Sequence, residues 1–177
     1  TLLKIILENK IEVKLNDLLK NSAELYREQK INLTNENLIE EILLFLKERT
    51  KNLLKDKGVK SDIIEAVLSS HRGDNFLSLY QKGLVLNKYY KSESYQNMVA
   101  SFKRASSILN QEKSDNKKLI GQPDSILFKT EEEKELYEKI SEIRKHFSIR
   151  SRKEDYEETI KYLSNTVSAT NNFFENV

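Results

Sequence analysis

Cysteine and tryptophan are absent from the 177 residues, proline occurs once and glycine four times. Without cysteine there are no disulfides, thiolate metal sites or thiol nucleophiles. The shortage of Pro and Gly leaves few positions for tight turns and strand edges. No window approaches the apolar length that spans a bilayer. The opening TLLKIIL is short and lacks a small-residue cleavage site, so it does not read as a secretory signal. An excess of one charge is also missing: 30 Lys and Arg face 28 Asp and Glu, a net +2. A basic tail is thereby excluded, and any cationic surface must be local. There is no Gly-rich phosphate loop, nucleophile elbow or paired-carboxylate motif. His71 and His146 stand far apart, each without a second ligand at helical spacing, so no metal site and no catalytic centre is expected.

What is present favours helix. Leu, Ile, Glu, Lys and Asn dominate, most of them good helix formers, and a chain of this size can bury roughly 70% of its unfolded surface. Helical spacing runs through residues 2–28, with a break at IEVKLND where Asn16-Asp17 could cap a second helix. QKINLT (29–34) is a connector with Thr34 as N-cap. A helix over 35–57 follows, with Phe45, Leu46, Leu53 and Leu54 in its apolar stripe and Gly58 as its C-terminal cap. Ser61 caps a short helix through Leu68, and Asp74 caps the segment after the SHRGD loop. Ser92 or Ser94 starts a helix to Asn110 whose inner face holds Tyr95, Met98, Val99, Phe102, Ala105 and Leu109. Residues 111–129 read as a long loop, with Leu119, Ile120, Ile126, Leu127 and Phe128 tacked onto the body. Thr130-x-x-Glu133 and Ser151-x-x-Glu154 are capping boxes, opening helices to about His146 and about Asn176. The acidic run at 131–135 offsets the dipole of a first turn. With no strand-period segment, the expected fold is an all-α helical bundle.

The cations are not spread evenly. Lys47, Lys51 and Lys55 recur at i, i+4 and i+8 on one helix face, with Arg49, Lys57 and Lys60 nearby. Residues 47–60 thus hold six cations against two acids. The stretch 144–153 holds Arg144, Lys145, Arg150, Arg152 and Lys153 and no acid. Lys103-Arg104 forms a third, smaller element. Rows of Lys are often no more than solvated faces, and those near a helix C-terminus also offset the dipole. Three basic patches in a nearly neutral chain nevertheless suit a surface that tracks phosphates. Residue types alone leave a nucleic-acid surface and a protein–protein surface equally open.

The order of the elements adds a resemblance. FLKERTKNLLKDKGVKSDIIEAVL, then FKRASSIL, FKTEEEKELYEKI and DYEETIKYLSNTVSATNNFFENV, resemble the C-terminal region of the bacterial glycyl-tRNA synthetase beta subunit. LLKIILENKIEVKLNDLL is similar to the segment preceding that region. The most specific pieces are K-D-x-G-x-x-x-D-x-I-x-A-V-L at 55–68, F-K-R-A at 102–105 and the closing F-F-E-N-V. Two features depart from the family: Ser107 stands where Asn commonly precedes the Ile, and the tetrapeptide that names the DALR domain is missing.

The resemblance implies a division at 1–33, the end of a preceding body domain with connector helices, and 34–177, a DALR-type anticodon-binding domain. It implies a piece of a longer subunit, since the family usually continues into a further helix. It also implies a cytoplasmic, heterotetrameric ligase with no membrane association. In such a ligase ATP and magnesium are handled by a separate alpha subunit, and no cofactor is bound here. The implied partners are glycine tRNA, the alpha subunit and the remainder of the beta subunit. Lys103 and Arg104 become the leading tRNA contacts, with Arg104 reading a base or the backbone through its planar fork. Lys47, Arg49, Lys51 and Lys55 are candidate phosphate contacts, with 144–153 as a secondary cluster. A Tyr of the Tyr89-Tyr90 or Tyr95 group is a stacking candidate, although Tyr95 lies on the inner stripe. The competing expectation is a helical protein–protein module that touches no RNA, marked by a contiguous apolar surface.

Overall fold

A computed structural model describes residues 2–71, 73–114, 121–149 and 155–177. Among them the regular structure is nine α-helices and one 3-10 turn, with no strand, in agreement with the all-α expectation. Packing divides the chain into two compact units, 1–88 and 89–177, whereas the division drawn on sequence lies at 33/34.

The first unit holds α1 (Leu2–Glu8), α2 (Leu15–Glu28), α3 (Leu38–Asp56), α4 (Ser61–Ser70) and nearly all of α5 (Phe76–Tyr89). Its core is built from Leu3, Ile6, Leu15, Leu46, Leu54, Ile63, Ile64, Val67, Phe76 and Leu79. Gly58 caps α3 as the sequence suggests. Its φ of 74° lies in the left-handed region, where Gly lacks the Cβ penalty. Its N–H donates to the Lys55 carbonyl, and that of Val59 to the Leu54 carbonyl. α1 and α2 end instead on lysines in the left-handed region, Lys10 and Lys30.

Three N-terminal caps differ from expectation. At α4, Ser61 is already the first helical residue, and the cap position, Lys60, makes no side-chain cap bond. Asp74 does not cap α5; its carboxylate accepts the N–H of Asn16 in the first turn of α2. Asn75 takes over at α5, its Oδ1 accepting the Ser78 N–H at 3.0 Å. Before α3 the turn is organised by Asn35 and not by Thr34. The Asn35 Oδ1 accepts the Asn37 N–H at 2.9 Å and its amide nitrogen donates to Glu41 at 3.0 Å. The donor nitrogen and the acceptor oxygen of the amide are separate atoms, so one side chain meets both groups of the turn. Phe45, expected inside, is 61% exposed. The buried seam of α3 is Leu46, Thr50 and Leu54, and Phe45 lies about 100° of helical rotation from its nearest member.

The second unit holds α6 (Glu93–Ser114), α7 (Glu131–Ile149), α8 (Tyr156–Ser164) and α9 (Val167–Asn176). α6 packs on α8 and α9, and α7 packs on α9. Ser92 is the cap of α6, its Oγ accepting the Tyr95 N–H at 3.3 Å. One continuous helix to Asn176 was expected; the chain breaks at Asn165-Thr166. The break serves burial. Ile160 and Ala169 are both buried, yet at 3.6 residues per turn they would face opposite sides of an unbroken helix. Thr166 stabilises the break by donating its hydroxyl to the Leu163 carbonyl at 2.7 Å. The second capping box, at Ser151 and Glu154, lies outside the described residues, as do Leu119 and Ile120. Asp155 caps α8 through the Glu158 N–H. The 3-10 turn Ser125–Leu127 holds Ile126 outward at 88% exposure, with Leu127 exposed beside it. Of the expected apolar tack, Phe128 packs edge-on to Tyr137.

The first capping box is present. The Glu133 N–H donates to Thr130 Oγ1 at 3.3 Å, and Glu133 Oε2 accepts the N–H groups of Thr130 at 2.9 Å and Lys129 at 2.6 Å. The Thr130 and then the Lys129 backbone bonds hold the Glu133 carboxyl below its ordinary value. A depressed folded-state value means this stabilisation is complete above the ordinary Glu range and is lost as pH falls through the depressed value. The expected result is a Glu133 carboxyl resonance titrating below the ordinary glutamate range. Glu133→Gln should flatten the acid limb of stability against pH, and an unchanged limb would overturn the assignment.

Candidate nucleic-acid interface

In the first unit, Lys47, Lys51 and Lys55 lie on the flank of α3 beside the Leu46–Thr50–Leu54 seam. Lys47 and Lys51 are half-buried and Lys55 is exposed. This position lets the aliphatic stems cover the seam while the ammonium groups reach water. Lys51 sits 3.7 Å from Glu48 one turn back, an exposed pair worth little. Arg49 is exposed on another flank, its guanidinium 5.9 Å from the centre of the exposed Phe45 ring.

In the second unit, Lys103 and Arg104 point different ways although they are neighbours. Arg104 is exposed but tied to α9. Its Nη2 donates to the Phe174 carbonyl of α9 at 2.9 Å, and its guanidinium lies 4.7 Å from the Phe174 ring centre. A cation at the last carbonyls of a helix also meets the negative end of the dipole. Ser101 adds a second tie to α9 through Asn171 at 2.8 Å. Lys103 points outward, into an open groove on α6 lined with Val99, Phe102, Ser106, Ser107 and Asn110. Phe102 and Leu109, expected on the inner stripe, are 45% and 47% exposed. The inner face of α6 is Met98, Ser101 and Ala105, which leaves Phe102 on its shoulder. Helical spacing could not reveal this, because an aromatic at that shoulder fits either side of the boundary.

Of the secondary cluster, Arg150, Arg152 and Lys153 lie outside the described residues. Arg144 and Lys145 are exposed near the end of α7. Arg144 donates from Nη1 to Gln122 Oε1. It also borders a mostly apolar cavity of about 270 Å³, walled by Phe128, Tyr137, Ile140 and Phe173. Arg104 and Arg144 thus both reach the aromatic pair of α9, whose rings are 5.5 Å apart. The stacking candidates are occupied with packing: Tyr89 donates to Glu157 at 3.3 Å, and Tyr90 lies 6.3 Å from Tyr95. The histidines also pack, His146 stacked on Tyr162 at 3.7 Å and His71 tilted against Phe76 at 6.5 Å. Among the described residues no group of His, Asp and Glu is arranged to hold a metal ion, and no helix is long and apolar enough to cross a membrane.

Comparison with known proteins joins these features. Residues 1–69 match the family described as glycyl-tRNA synthetase beta subunit. Residues 98–177 match the DALR anticodon binding domain. The glycine–tRNA ligase beta subunits of Rickettsia canadensis and Rickettsia africae are each 32% identical over 176 residues. That overlap is 99% of this chain and 25% and 24% of the respective relatives. The beta subunit of Clostridioides difficile is 29% identical over 143 residues, 81% of this chain and 20% of the relative. The chain therefore spans about a quarter of the length of the curated relatives it matches. With both of its ends matched and its relatives collinear over nearly every residue, the chain belongs to the glycyl-tRNA synthetase beta-subunit family, in the C-terminal part.

Proposed function

We propose that this chain is the tRNA-binding, anticodon-recognising part of the beta subunit of a cytoplasmic glycyl-tRNA synthetase, contributing binding and not catalysis. The observation that carries this reading is the exposed Lys103 face of α6, which falls inside the segment matching an anticodon-binding domain. An anticodon loop presents unstacked bases beside crowded phosphates, and an ammonium next to an exposed aromatic suits both. Lys103 is assigned to a phosphate, with Arg144 and Lys145 as a second contact region. Lys47, Arg49, Lys51 and Lys55 form a separate phosphate-tracking row in the first unit. Attachment of glycine to glycine tRNA with ATP falls to the alpha subunit of a heterotetramer.

The test is titration of the chain with glycine tRNA, and with the same tRNA carrying a replaced anticodon, at two salt concentrations. The intact tRNA should bind more tightly, and affinity should fall with salt by about 0.7–0.9 log units per log unit for each phosphate engaged. Lys51→Gln with Lys55→Gln should weaken both tRNAs alike. Equal affinity for the two tRNAs would overturn anticodon recognition. Unchanged affinity in the double variant would reduce the α3 row to a solvated face.

A second role is favoured for the first unit. Leu18, Leu25 and Tyr26 of α2 and Leu44 and Phe45 of α3 are all exposed, in a segment matching the beta-subunit family itself. Covering such side chains against a partner removes apolar surface from water. We assign them to docking on the remainder of the beta subunit, which in the relatives is about three times as long as the matched part.

A further inference from the structure

The tRNA-binding reading leaves open which side chain holds a base, and the sequence pointed to tyrosines and to Arg104. The structure redistributes these roles. Tyr89, Tyr90 and Tyr95 contact other side chains of the second unit, and Arg104 is held by Phe174 of α9. What remains on the outward face of α6 is Phe102, an apolar ring with no aromatic partner within the groove. Around it stand one ammonium, two hydroxyls and one carboxamide, those of Lys103, Ser106, Ser107 and Asn110.

Resting on the tRNA-binding reading, we propose that Phe102 is the platform on which an unstacked RNA base lies, and that Arg104 is the positioning residue that fixes this face of α6 against α9. Three observations favour a base over an apolar protein side chain as the occupant. The groove is open, so a flat ligand can enter from solvent. Its one charge is positive and adjacent to the ring, where the phosphate of a stacked nucleotide would lie. Its remaining polar groups, Ser106, Ser107 and Asn110, donate and accept hydrogen bonds and can meet a base edge, whereas an apolar partner would leave them desolvated and unpaired. Stacking on a phenyl ring tolerates any base. Selectivity on this face would then come from Ser106, Ser107 and Asn110. Arg104 acts through geometry: Lys103 and Arg104 are consecutive, so the bond that holds one on α9 sets the rotation of α6 that presents the other.

The experiment titrates glycine tRNA into the chain as wild type, Phe102→Leu and Phe102→Trp, at two salt concentrations, with a thermal melt of each. Phe102→Leu should weaken binding roughly five- to a hundredfold, the range of one lost stacked base. The salt slope should not change, because no charge is removed. Phe102→Trp should bind at least as well as wild type. Wild-type affinity in Phe102→Leu, while the wild-type chain binds tRNA, overturns the platform and leaves the tRNA-binding reading intact. A wild-type chain that fails to bind glycine tRNA overturns both. A binding loss in Phe102→Leu that parallels a loss of thermal stability also overturns the platform in favour of a packing role. For Arg104, Arg104→Lys should lower the thermal midpoint and weaken binding, and the weakening should disappear in the Phe102→Leu background. Equal losses in both backgrounds would assign Arg104 a direct RNA contact and overturn its positioning role.

Discussion

Truncation of Leu54 to Ala should cost the first unit about 2–5 kcal/mol of stability, read as a lower urea midpoint at unchanged slope. Leu54 is 0% exposed and sits where α3 meets α5 at its one interior glycine. A Cβ built on Gly83 would lie 2.8 Å from Leu54 Cδ2 and 3.0 Å from Cδ1, closer than such atoms approach. The leucine fills the space a larger residue at position 83 would need. The pair should therefore be strongly non-additive. Gly83→Ala alone gains about 1 kcal/mol of helix propensity but must displace a fully packed side chain, and the net effect should be destabilising. In the Leu54→Ala background the same methyl enters the vacated volume, so Gly83→Ala should become stabilising. A cycle that closes with no interaction energy would show that the two helices do not meet as described.

Asp74→Ala should destabilise the same unit by about 1.5–3 kcal/mol, the range for a hydrogen bond to a charged group. The Asp74 carboxylate accepts the Asn16 N–H, in the first turn of a helix whose own N-cap residue, Lys14, makes no side-chain cap bond. Removing it orphans an amide that no other side chain serves and strips a negative charge from the positive end of the α2 dipole. Asp74→Asn keeps an acceptor and loses the charge, so it should fall between wild type and Asp74→Ala. Hydrogen exchange at Asn16 reports the bond directly, and wild-type protection there in Asp74→Ala would refute the assignment.

What could be read from the chain in advance follows the range of the forces involved. The Thr130–Glu133 box and the Gly58 cap are complete within six residues, and both are legible from residue types and spacing. Asp74 was assigned to its own helix because nothing local reveals that its acceptor serves a residue 58 positions earlier. The end of α2 at Glu28 falls where the sequence places it, although the left-handed residues after α1 and α2 are Lys10 and Lys30 and no glycine marks them. The all-α architecture survived these local errors, since apolar periodicity integrates over many residues. Site geometry is more fragile: Phe45 and Phe102 lie on helix shoulders, where one step of rotation decides between core and surface. Arg104 stands out in the sequence through the F-K-R-A resemblance, but its partner, the Phe174 carbonyl, lies 70 residues away and has no signature in the sequence.

Those long spans impose an order on biosynthesis. The side-chain ties that close the first unit, Asn16 to Asp74 and Lys60 to Asn87, are available once residue 87 has left the ribosome. In the second unit, Ser101 and Arg104 reach their acceptors on Asn171 and Phe174 only after 70 further residues have been synthesised. Domains fold as units with the N-terminal one first. The nascent polypeptide therefore carries a finished first unit while α6 waits, its Met98 face uncovered, for the last ten or so residues described here. During that interval the α6 face is open to aggregation and proteolysis, and a ribosome stalled before residue 171 would hold a closed first unit beside an unclosed second one.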